Sequence, residues 1–385
     1  MSSGVLARPA LGPPASVRLW HPPRRPDFVL LLAVAVLLGL SVLLVSTTTA
    51  HFRDGSGPYL TRHLATMAAG LVLAATASCC GRRLLSMLIV CGYPLLLALL
   101  VLVRITGRTV NGSRSWLDLP GGFSLQPSEL AKLAVICVLA WWLARRRASE
   151  DPLSWFDIGV SLVLAGVPVV LILAQPDLGT VLVLSLTVFV VLAVAGAGWR
   201  WLVPLVLLAT TGIVAVIRAG LLADYQVDRF TAFLDPTGDV RGIGYNTHQA
   251  VLAVSSGGLL GKGIGHGPAT QGGYVPEQHT DFIFSAVGEE LGFAGAALLV
   301  VALTVVVARV VAIGRSDPDP FGQLICAGVA TWIGLQGFEN IAMCLQLAPV
   351  TGVPLPLVSY GGTSMIACLT ALGLVVGIGG RRRHR

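Results

Sequence analysis

Long runs of apolar residues alternate with short polar segments along almost the whole chain. A helix needs about 20 apolar residues to cross the hydrocarbon core of a bilayer. On that rule the predicted spans lie at 28–50, 60–80, 84–105, 127–144, 157–174, 178–197, 201–218, 281–308, 322–346 and 361–380. The pattern therefore predicts an all-α, polytopic integral membrane protein with about ten transmembrane helices.

Two connections between the predicted spans are much longer than the others, from about 106 to 126 and from about 219 to 280. Long loops on a compact scaffold are usually functional or disordered. The second loop, between spans seven and eight, is rich in glycine, yet it contains the apolar stretch AVLAV at 250–254. We therefore expect short interfacial helices in this loop rather than a flexible linker.

Composition supports the membrane assignment. Of the 385 residues, 55% are hydrophobic and only 12% are charged, whereas soluble domains carry roughly 25% charged residues. The formal net charge of +7 could suggest a nucleic-acid partner, but the basic residues form short clusters between apolar runs, so we expect membrane lipids and no nucleic acid. The seven cysteines lie within or beside apolar runs without metal-ligand spacing, which indicates neither a disulfide framework nor a zinc site.

Arginine clusters predict the orientation of the spans. Basic residues accumulate in cytoplasmic loops, and with ten spans the main clusters fall on one side: Arg8, Arg18, Arg24, Arg25, Arg82, Arg83, Arg145, Arg146, Arg147, Arg200, Arg309, Arg315 and the sequence RRRHR at 381–385. We therefore predict a cytoplasmic tail at 1–27 that is not a removed signal peptide, a membrane domain at 28–380 and a basic cytoplasmic tail at 381–385. Both termini are then cytoplasmic, and the two long loops are exported.

Titratable residues stand at the head of the eighth predicted span, in PEQHTDFIFSAVGEELG at 276–292. Thr280 is a suitable N-cap and Asp281 suits the first turn, which is the structural interpretation. On a helix, Asp281 would also head a narrow arc of small residues, Ser285, Gly288 and Gly292, that leaves room for a ligand. A carboxylate near the interface with a raised pKa is what a general base needs. Glu289 and Glu290 lie deeper, where a charge is costly and by default functional.

Three further segments carry candidate chemistry. In QPSELAKL, Glu129 and Lys132 are spaced to pair on a helix, either as a structural ion pair or to orient a loop or a polar substrate group. In NGSRSWLDL, Trp116 beside Arg114 is either an interfacial anchor or a flank for a phosphate or a sugar. APVTGVPLPLVSYGGTS at 348–364 predicts irregular backbone, which at membrane depth lines a cavity unless it is a simple tight turn.

These segments resemble the SEDS family of bacterial membrane proteins, which comprises RodA, FtsW and SpoVE. The matching stretches occur in the order that the family shows: NGSRSWLDL, QPSELAKL, AQPDLGT, FLDPTGDVRGIGYN, SSGGLLGKGIG, VPEQHTDFIFSAVGEELG and PVTGVPLPLVSYGGTS. They span most of the chain from about residue 100 to the end, and PVTGVPLP looks more like the RodA branch. The family consists of peptidoglycan glycosyltransferases of the cytoplasmic membrane, and the RodA branch serves cell elongation.

The resemblance implies a ten-helix fold with Asp281 as the catalytic carboxylate. It implies that the substrate is lipid II, a disaccharide-pentapeptide on undecaprenyl pyrophosphate, and that the partner is a class B penicillin-binding protein, a transpeptidase. By the same match, Glu129 and Lys132 are the functional pair of span four and Trp116 is the tryptophan of the exported loop. The residues expected to bind substrate or support the site further include Arg114, Lys262, Glu277, His279 and Thr280.

As a hypothesis, Asp281 removes a proton from the 4-hydroxyl of the acceptor sugar, and a lipid pyrophosphate leaves the donor with inversion. The leaving group needs its charge screened, by Arg114, Arg229, Arg241 or Lys262, alone or together with a divalent cation such as Mg²⁺ or Mn²⁺. Two alternatives stay open. One is a lipid II flippase whose polar path uses the charges inside the spans, namely Glu129, Lys132, Glu289, Glu290 and Glu339; the other is a non-catalytic scaffold for the transpeptidase.

Overall fold

All ten predicted spans are helical in the computed structural model, which describes residues 26–52, 55–110, 113–147, 153–220, 227, 229, 233 and 243–380. The helices of these residues are α1 (Phe28–Thr48), α2 (Gly57–Cys79), α3 (Arg82–Thr106), α4 (Pro127–Arg147), α5 (Trp155–Leu173), α6 (Leu178–Val194), α7 (Trp199–Arg218), α8 (Ile243–Ser256), α9 (Pro268–Gln271), α10 (Ile283–Arg315), α11 (Pro320–Cys344) and α12 (Gly362–Gly380). The predicted all-α, multi-pass architecture is confirmed.

Nine helices of the described residues are long and apolar enough to cross a membrane. The tenth span, α6, has 17 residues, so at 1.5 Å per residue it is about 25 Å long and a little short of the hydrocarbon thickness. The remaining helices, α8 and α9, lie in the long connection between α7 and α10. They are the short helices that the sequence predicts there.

Helices α4, α11 and α12 are the most buried of the bundle, whereas no described side chain of α7 is buried. The contact between α12 and α2 depends on two glycines. A Cβ at Gly373 would lie 2.2 Å from the carbonyl oxygen of Ala74, and one at Gly377 would lie 2.4 Å from that of Ser78. Such close approach of two backbones is how membrane helices gain packing energy without a hydrophobic driving force.

A small antiparallel sheet, which the sequence interpretation did not include, occupies the connection between α3 and α4. Its strands are β1 (Arg108–Val110), β2 (Ser113–Leu119) and β3 (Phe123–Leu125), with β2 in the centre. The hydroxyl of Ser113 donates to the carbonyl oxygen of Gln175 at 2.5 Å, which fixes the sheet to the connection between α5 and α6.

The start of helix α10 differs from the prediction that Asp281 heads an arc of small residues on this helix. It begins at Ile283 with Phe282 at its N-cap, so Asp281 precedes the helix and Thr280 does not cap it. Gly292, with φ 66° and ψ −162°, breaks the helix in its third turn. The prediction that this arc leaves room for a ligand is therefore wrong, because other parts of the chain occupy the space beside it. A Cβ at Gly288 would lie 3.0 Å from Val254, and one at Gly292 would lie 2.3 Å from the backbone nitrogen of Gly261.

The segment 257–263, here called the glycine segment, replaces the hydrogen bonds that the break in α10 removes. The backbone N–H groups of Lys262 and Gly263 donate to the carbonyl oxygens of Glu289 and Glu290 at 2.9 and 3.1 Å. In return, Phe293 and Ala294 donate to the carbonyl oxygens of Gly258 and Leu259 at 2.9 and 3.0 Å. The backbone N–H and C=O groups freed by the break in α10 thus find hydrogen-bond partners within the protein, as irregular backbone inside a membrane requires.

Because successive spans alternate in direction, one end of the bundle collects the small sheet, the start of α4, the turn before α10 and the start of α12; we call it the Asp281 face. The arginine clusters of the described connections, at Arg82, Arg83, Arg145, Arg146, Arg200 and Arg315, lie at the opposite end. The cytoplasmic assignment of that end stays a prediction, as do the domain boundaries. The predicted tails lie outside the described residues, except for Pro26 and Asp27.

Candidate active site

Asp281 lies in a tight turn at the mouth of the bundle. The carbonyl oxygen of Glu277 accepts the backbone N–H groups of Thr280, Asp281 and Phe282 at 3.2, 3.0 and 3.3 Å. Glu277 itself adopts φ 52°, a left-handed conformation that few residues other than glycine take. This turn presents the half-buried Asp281 ahead of the helix rather than on its flank.

The proline-rich connection between α11 and α12 holds this turn from behind. The hydroxyl of Ser359 donates to the carbonyl oxygen of Thr280 at 2.5 Å and accepts the N–H of Leu355 at 2.8 Å. The N–H of Tyr360 donates to the carbonyl oxygen of His279 at 2.9 Å. The irregular PVTGVPLPLVSYGG sequence therefore forms a wall of the site, as its prolines and glycines predicted.

Gly352, in the same connection, lies directly against the carboxylate of Asp281. It has φ +75°, and a Cβ there would lie 3.3 Å from Oδ2 of Asp281 and 3.8 Å from Nη2 of Arg229. Arg229 donates to the carbonyl oxygen of Thr351 at 2.9 Å. A guanidinium group therefore lies close to Asp281, and of the basic residues proposed to screen a pyrophosphate, Arg229 is the one that the described contacts bring here.

The environment of Asp281 raises its pKa to about 7. Burial is the largest cause, and the negative charge of Glu277 adds to it; the positive charge of Arg229 acts in the opposite direction. A carboxyl group with this pKa changes protonation near neutral pH, which is the range in which a general base works best. The sequence suggested a raised pKa for Asp281 but could not establish it, because the pKa depends on burial and on neighbouring charges that only the structure shows.

His279 and Thr280 support the turn in different ways. The ring of His279 packs among Phe52, Tyr59 and Tyr360, with centroid distances of 5.2, 5.9 and 5.5 Å. Burial, with a smaller effect from the charge of His51, lowers the pKa of His279 to about 4, so the ring is neutral at physiological pH. The hydroxyl of Thr280 donates to the carbonyl oxygen of Glu277 at 3.1 Å.

Glu129 and Lys132 form the predicted ion pair in the first turns of α4. Nζ of Lys132 lies 2.6 Å from Oε1 of Glu129, and both side chains are 1% exposed. Nζ also donates to Oε1 of Gln336 on α11 at 2.6 Å and lies 5.4 Å from the ring centre of Trp332. The pair is therefore enclosed by protein and does not reach the carboxylate of Asp281 directly.

Asp177 is a residue that the sequence interpretation did not single out. It caps α6 by accepting the N–H of Thr180 at 3.0 Å, and it accepts the hydroxyl of Ser128 at 3.2 Å. Next to it, a Cβ on Gly179 would lie 2.3 Å from Val353. The start of α6 thus packs on the wall of the site, and the charge of Asp177 contributes to the raised pKa of Asp281.

Two other polar residues missed in the sequence are Gln336 and Asn340 on α11. Nδ2 of Asn340 donates to the carbonyl oxygens of Asp281 and Val353 at 2.7 and 2.8 Å. Nε2 of Gln336 donates to the carbonyl oxygen of Pro354 at 2.8 Å. The available signal was their spacing of four residues inside an apolar span, where polar side chains are costly.

Arg114, Trp116 and Lys262 are not brought to Asp281 by any contact among the described residues. Arg114 is exposed on β2, Trp116 is half-buried there, and the backbone of Lys262 binds α10 at Glu289 while its side chain is exposed. Their predicted roles stay predictions. Arg241 lies outside the described residues.

Glu289 fixes a loop instead of facing a ligand. Its carboxylate accepts the N–H groups of Ala269 and Thr270 at 2.7 and 2.8 Å and the hydroxyl of Thr270 at 2.6 Å. These three bonds compensate the cost of burying the carboxylate and give Glu289 a structural role, while the functional role expected from its depth stays a prediction. Glu290 is fully buried beside the same loop.

The described residues contain no group of three or more His, Cys, Asp or Glu side chains that could hold a metal ion. The described side chains alone do not fit a protein-bound Mg²⁺ or Mn²⁺ site.

An apolar cavity of about 370 Å³ lies between α2, α3, α4 and α12. Its wall on α4 includes Leu130, Leu133 and Ala134. These residues are neighbours in sequence of the buried ion pair formed by Glu129 and Lys132. Leu88 and Leu95 at its rim are 53% and 62% exposed, so the cavity opens toward the bilayer.

Comparison with known proteins agrees with these features. The family model for FtsW, RodA and SpoVE, described as "Cell cycle protein", matches residues 27–384. The chain is 38% identical over 291 residues to the peptidoglycan glycosyltransferase MrdB of Escherichia coli K12, an alignment that covers 76% of this chain and 77% of MrdB.

Two solved structures share the fold over nearly the whole chain. The crystal structure of the rod shape determining protein RodA of Thermus thermophilus matches with a TM-score of 0.69 and 31% identity, covering 94% of this chain and 99% of that one. A chain from a peptidoglycan synthase complex, solved to explain how polymerization and crosslinking are coordinated, matches with a TM-score of 0.79 and 33% identity, covering 94% of this chain and 100% of that one. The resemblance seen in the sequence is therefore confirmed, and the chain belongs to the FtsW/RodA/SpoVE family.

Proposed function

We propose that the chain is a peptidoglycan glycosyltransferase that polymerises lipid II at the outer face of the bacterial cytoplasmic membrane, with Asp281 as its general base. The observation that carries the proposal is an anchored carboxyl group with a pKa of about 7 at one end of a membrane bundle. The name of the E. coli relative, a peptidoglycan glycosyltransferase, supports the same activity.

The proposed step transfers one proton and exchanges one bond. Asp281 takes the proton from the 4-hydroxyl of the acceptor sugar while that oxygen forms a bond to the anomeric carbon of the donor. The bond from this carbon to the pyrophosphate breaks, and undecaprenyl pyrophosphate leaves with the electron pair. Attack from the face opposite the leaving group converts the α-linked donor into a β-1,4 glycan. Asp281 then returns its proton to water.

Arg229 is the residue that we assign to the leaving pyrophosphate. Its guanidinium group lies near Asp281 across Gly352, and fork-shaped donors match phosphate oxygens. A divalent cation would supply further screening of the phosphate charge when it arrives with the substrate. Binding of such an ion would then depend on the pyrophosphate, because the described side chains do not form a metal site.

The apolar cavity between α2, α3, α4 and α12 supports a polyprenyl substrate. Its lining is almost entirely aliphatic, and burial of apolar surface contributes roughly 25 cal/mol per Å². We assign the undecaprenyl chain to this cavity and the sugar and phosphate groups to the Asp281 face. The partner that we propose is a class B penicillin-binding protein, because a matched structure is a peptidoglycan synthase complex; a role in elongation follows the similarity to RodA.

A flippase would need a polar path across the bilayer. Three of the five charges proposed for that path, Glu129, Lys132 and Glu289, form two groups that share no hydrogen-bond partner among the described residues. Glu129 and Lys132 bind each other and Gln336, whereas Glu289 binds the loop at Ala269 and Thr270. This division favours chemistry at one face over transport. A non-catalytic scaffold would not require Asp281 at all.

The deciding experiment measures glycan chains formed from lipid II by the purified protein with its transpeptidase, in the presence of moenomycin to silence polymerases of the other class. We expect product from the wild type and none from Asp281→Asn, with both proteins showing the same thermal unfolding midpoint. Full activity of Asp281→Asn would remove Asp281 from the mechanism. No product from either protein would favour the flippase or the scaffold.

A further inference from the structure

One face of α11 carries a row of polar side chains that faces the bundle interior. Trp332, Gln336 and Asn340 follow one another at intervals of four residues and are each 0% exposed. Residues at this spacing lie on one side of a helix. Polar groups in the middle of a membrane bundle are costly unless each finds a partner, and these three are hydrogen-bonded to one another or to residues of other segments, named below.

The chemistry of its neighbours fixes the orientation of the Gln336 amide. Oε1 accepts Nζ of Lys132 and Nε1 of Trp332, both at 2.6 Å, and these two groups can only donate. Nε2 donates to the carbonyl oxygen of Pro354, which can only accept. Gln336 therefore joins the ion pair of α4 to the wall of the site, and neither Glu nor Leu could make both connections.

Asn340 is fixed in the same manner one turn further on. Both acceptors of its Nδ2 are backbone carbonyl oxygens, of Asp281 and of Val353, so the amide nitrogen must face them. Asn340 thereby joins the turn that carries Asp281 to the segment that carries Gly352. The two residues together connect Lys132 to Asp281 through α11.

The position of Lys132 on α4 indicates that its contribution is indirect. The residues of α4 that line the apolar cavity, among them Leu130, Leu133 and Ala134, lie on one side of the helix. At about 100° per residue, Lys132 points to the far side, where it lies against Glu129, Gln336 and Trp332. A substrate in the cavity would not reach its amino group.

We propose that Gln336 and Asn340 are positioning residues for Asp281, and that the Glu129–Lys132 pair acts in the reaction through them without touching the substrate. This inference rests on the proposed glycosyltransferase activity for its kinetic consequences. Its structural content, that this network determines the placement of the Asp281 carboxyl, holds independently of the reaction.

Two variants separate the steps of the network. Asn340→Leu removes both bonds to the site wall and to the Asp281 turn. Exchanging the two polar groups around Lys132, in the double variant Glu129→Gln with Gln336→Glu, keeps one carboxylate and one amide beside the amino group. It loses only the donor to Pro354, because the carboxylate introduced on α11 has no N–H. Thr331→Val on α11 is the matched control, since its hydroxyl binds only the carbonyl oxygen of Ala327 in its own helix.

The experiment combines kinetics with a probe of Asp281 that does not require activity. Full-length variants with the transpeptidase are assayed for glycan synthesis, and kcat and KM are separated. In parallel, amidation of Asp281 by a water-soluble carbodiimide and an amine is followed by mass spectrometry as a function of pH.

We expect Asn340→Leu and the double variant to lower kcat at least about tenfold, because misplacement of a reacting group by about 1 Å can cost a hundredfold, while KM changes less than about twofold. For Asn340→Leu we also expect the pH midpoint of Asp281 amidation to fall toward the ordinary aspartate value of about 3.9 as the turn gains access to water. Thr331→Val should match the wild type in both measurements.

Several results would overturn the proposal. Wild-type kcat in the double variant would mean that only charge near Lys132 matters. A rise in KM alone would place Lys132 or Gln336 in contact with substrate. An unchanged amidation midpoint in a folded Asn340→Leu protein would show that Asn340 does not position Asp281. Inactivity of the wild type, with the expected amidation shift in Asn340→Leu, would refute the proposed function and keep the positioning network.

Discussion

The pKa of Asp281 depends on two nearby side chains of opposite charge, Glu277 and Arg229. Burial raises this pKa to about 7, with Glu277 adding to the rise and Arg229 opposing it. If Asp281 is the general base, only its ionised form is active. Activity should therefore grow as the pH rises through about 7, and the protonation of this one residue should dominate the profile.

We predict that kcat/KM for lipid II rises between about pH 5 and pH 8 with a midpoint near 7. Titration of His279 should not change the rate in that pH range, because the pKa of His279 is lowered to about 4 and the ring stays neutral. The measurement is the pH–rate profile of the purified complex, which reports the free enzyme's essential groups. A profile that falls over this range would exclude a carboxylate base at Asp281.

We predict that Glu277→Gln moves this midpoint to lower pH. Removing a negative charge beside Asp281 stabilises its ionised form and lowers its pKa. Asp118→Asn is the control: it makes the same change of charge at an exposed residue of the sheet, paired with Arg108 at 3.9 Å, and should leave the midpoint in place. An equal shift in both variants would attribute the effect to net charge instead of proximity.

At the scale of single residues, the sequence indicated candidate residues better than the contacts between them. Position and local spacing drew attention to Asp281 and to the Glu129–Lys132 pair but left structural interpretations open for both, and the roles implied by the family resemblance stay predictions. Gln336 was missed because its partner Lys132 is 204 positions away in the chain, and Asn340 binds Asp281 across 59 positions. Such contacts depend on how helices pack, which no local pattern specifies.

The break in α10 is the main feature at the scale of the elements. Gly292 has a conformation that side chains other than glycine rarely adopt, and the glycine segment fills the gap in the helix. The sequence EELGFAG does not specify the break, because an isolated glycine is also tolerated inside an unbroken helix. The sheet was missed because two of its strands have only three residues and the seven-residue strand, SRSWLDL, does not alternate strictly between apolar and polar positions.

We predict that Gly292→Ala lowers the thermal unfolding midpoint of the detergent-solubilised protein. A strained backbone conformation costs about 1–3 kcal/mol, and the new Cβ would also lie 2.3 Å from the backbone nitrogen of Gly261. Gly166→Ala in α5 is the matched control, because a Cβ there meets no atom within 4 Å, and alanine favours a helix by about 1 kcal/mol over glycine. Equal midpoints for the two variants would contradict the described break.

For the whole molecule, the sequence predicted the number and the limits of the spans closely, since bilayer thickness leaves few alternatives for long apolar runs. It did not predict the cavity between α2, α3, α4 and α12. Leucines that line a cavity and leucines that face lipid look the same in a sequence, and only packing distinguishes them.

We predict that Gly92→Leu, which projects a side chain into this cavity, raises KM for lipid II at least about fivefold, because overpacking costs about 1–3 kcal/mol and 1.4 kcal/mol corresponds to a factor of ten. A lipid II analogue with a short prenyl chain should be unaffected. Gly166→Leu is the control, since it lies on α5 away from the cavity; both glycines have open space around a Cβ. Equal effects on long and short chains would place the undecaprenyl tail elsewhere.

The opening of this cavity toward the bilayer makes the surrounding lipid a competitor. In a membrane the acyl chains have access to this space, so binding of the undecaprenyl chain there, as proposed above, would be an exchange in which one hydrocarbon chain replaces another. Affinity then measures a preference between two lipids, and it changes with the length and saturation of the host membrane's chains at a constant amount of lipid II. If the undecaprenyl chain binds in this cavity, the composition of the membrane thus changes the apparent affinity for substrate without any change in the protein.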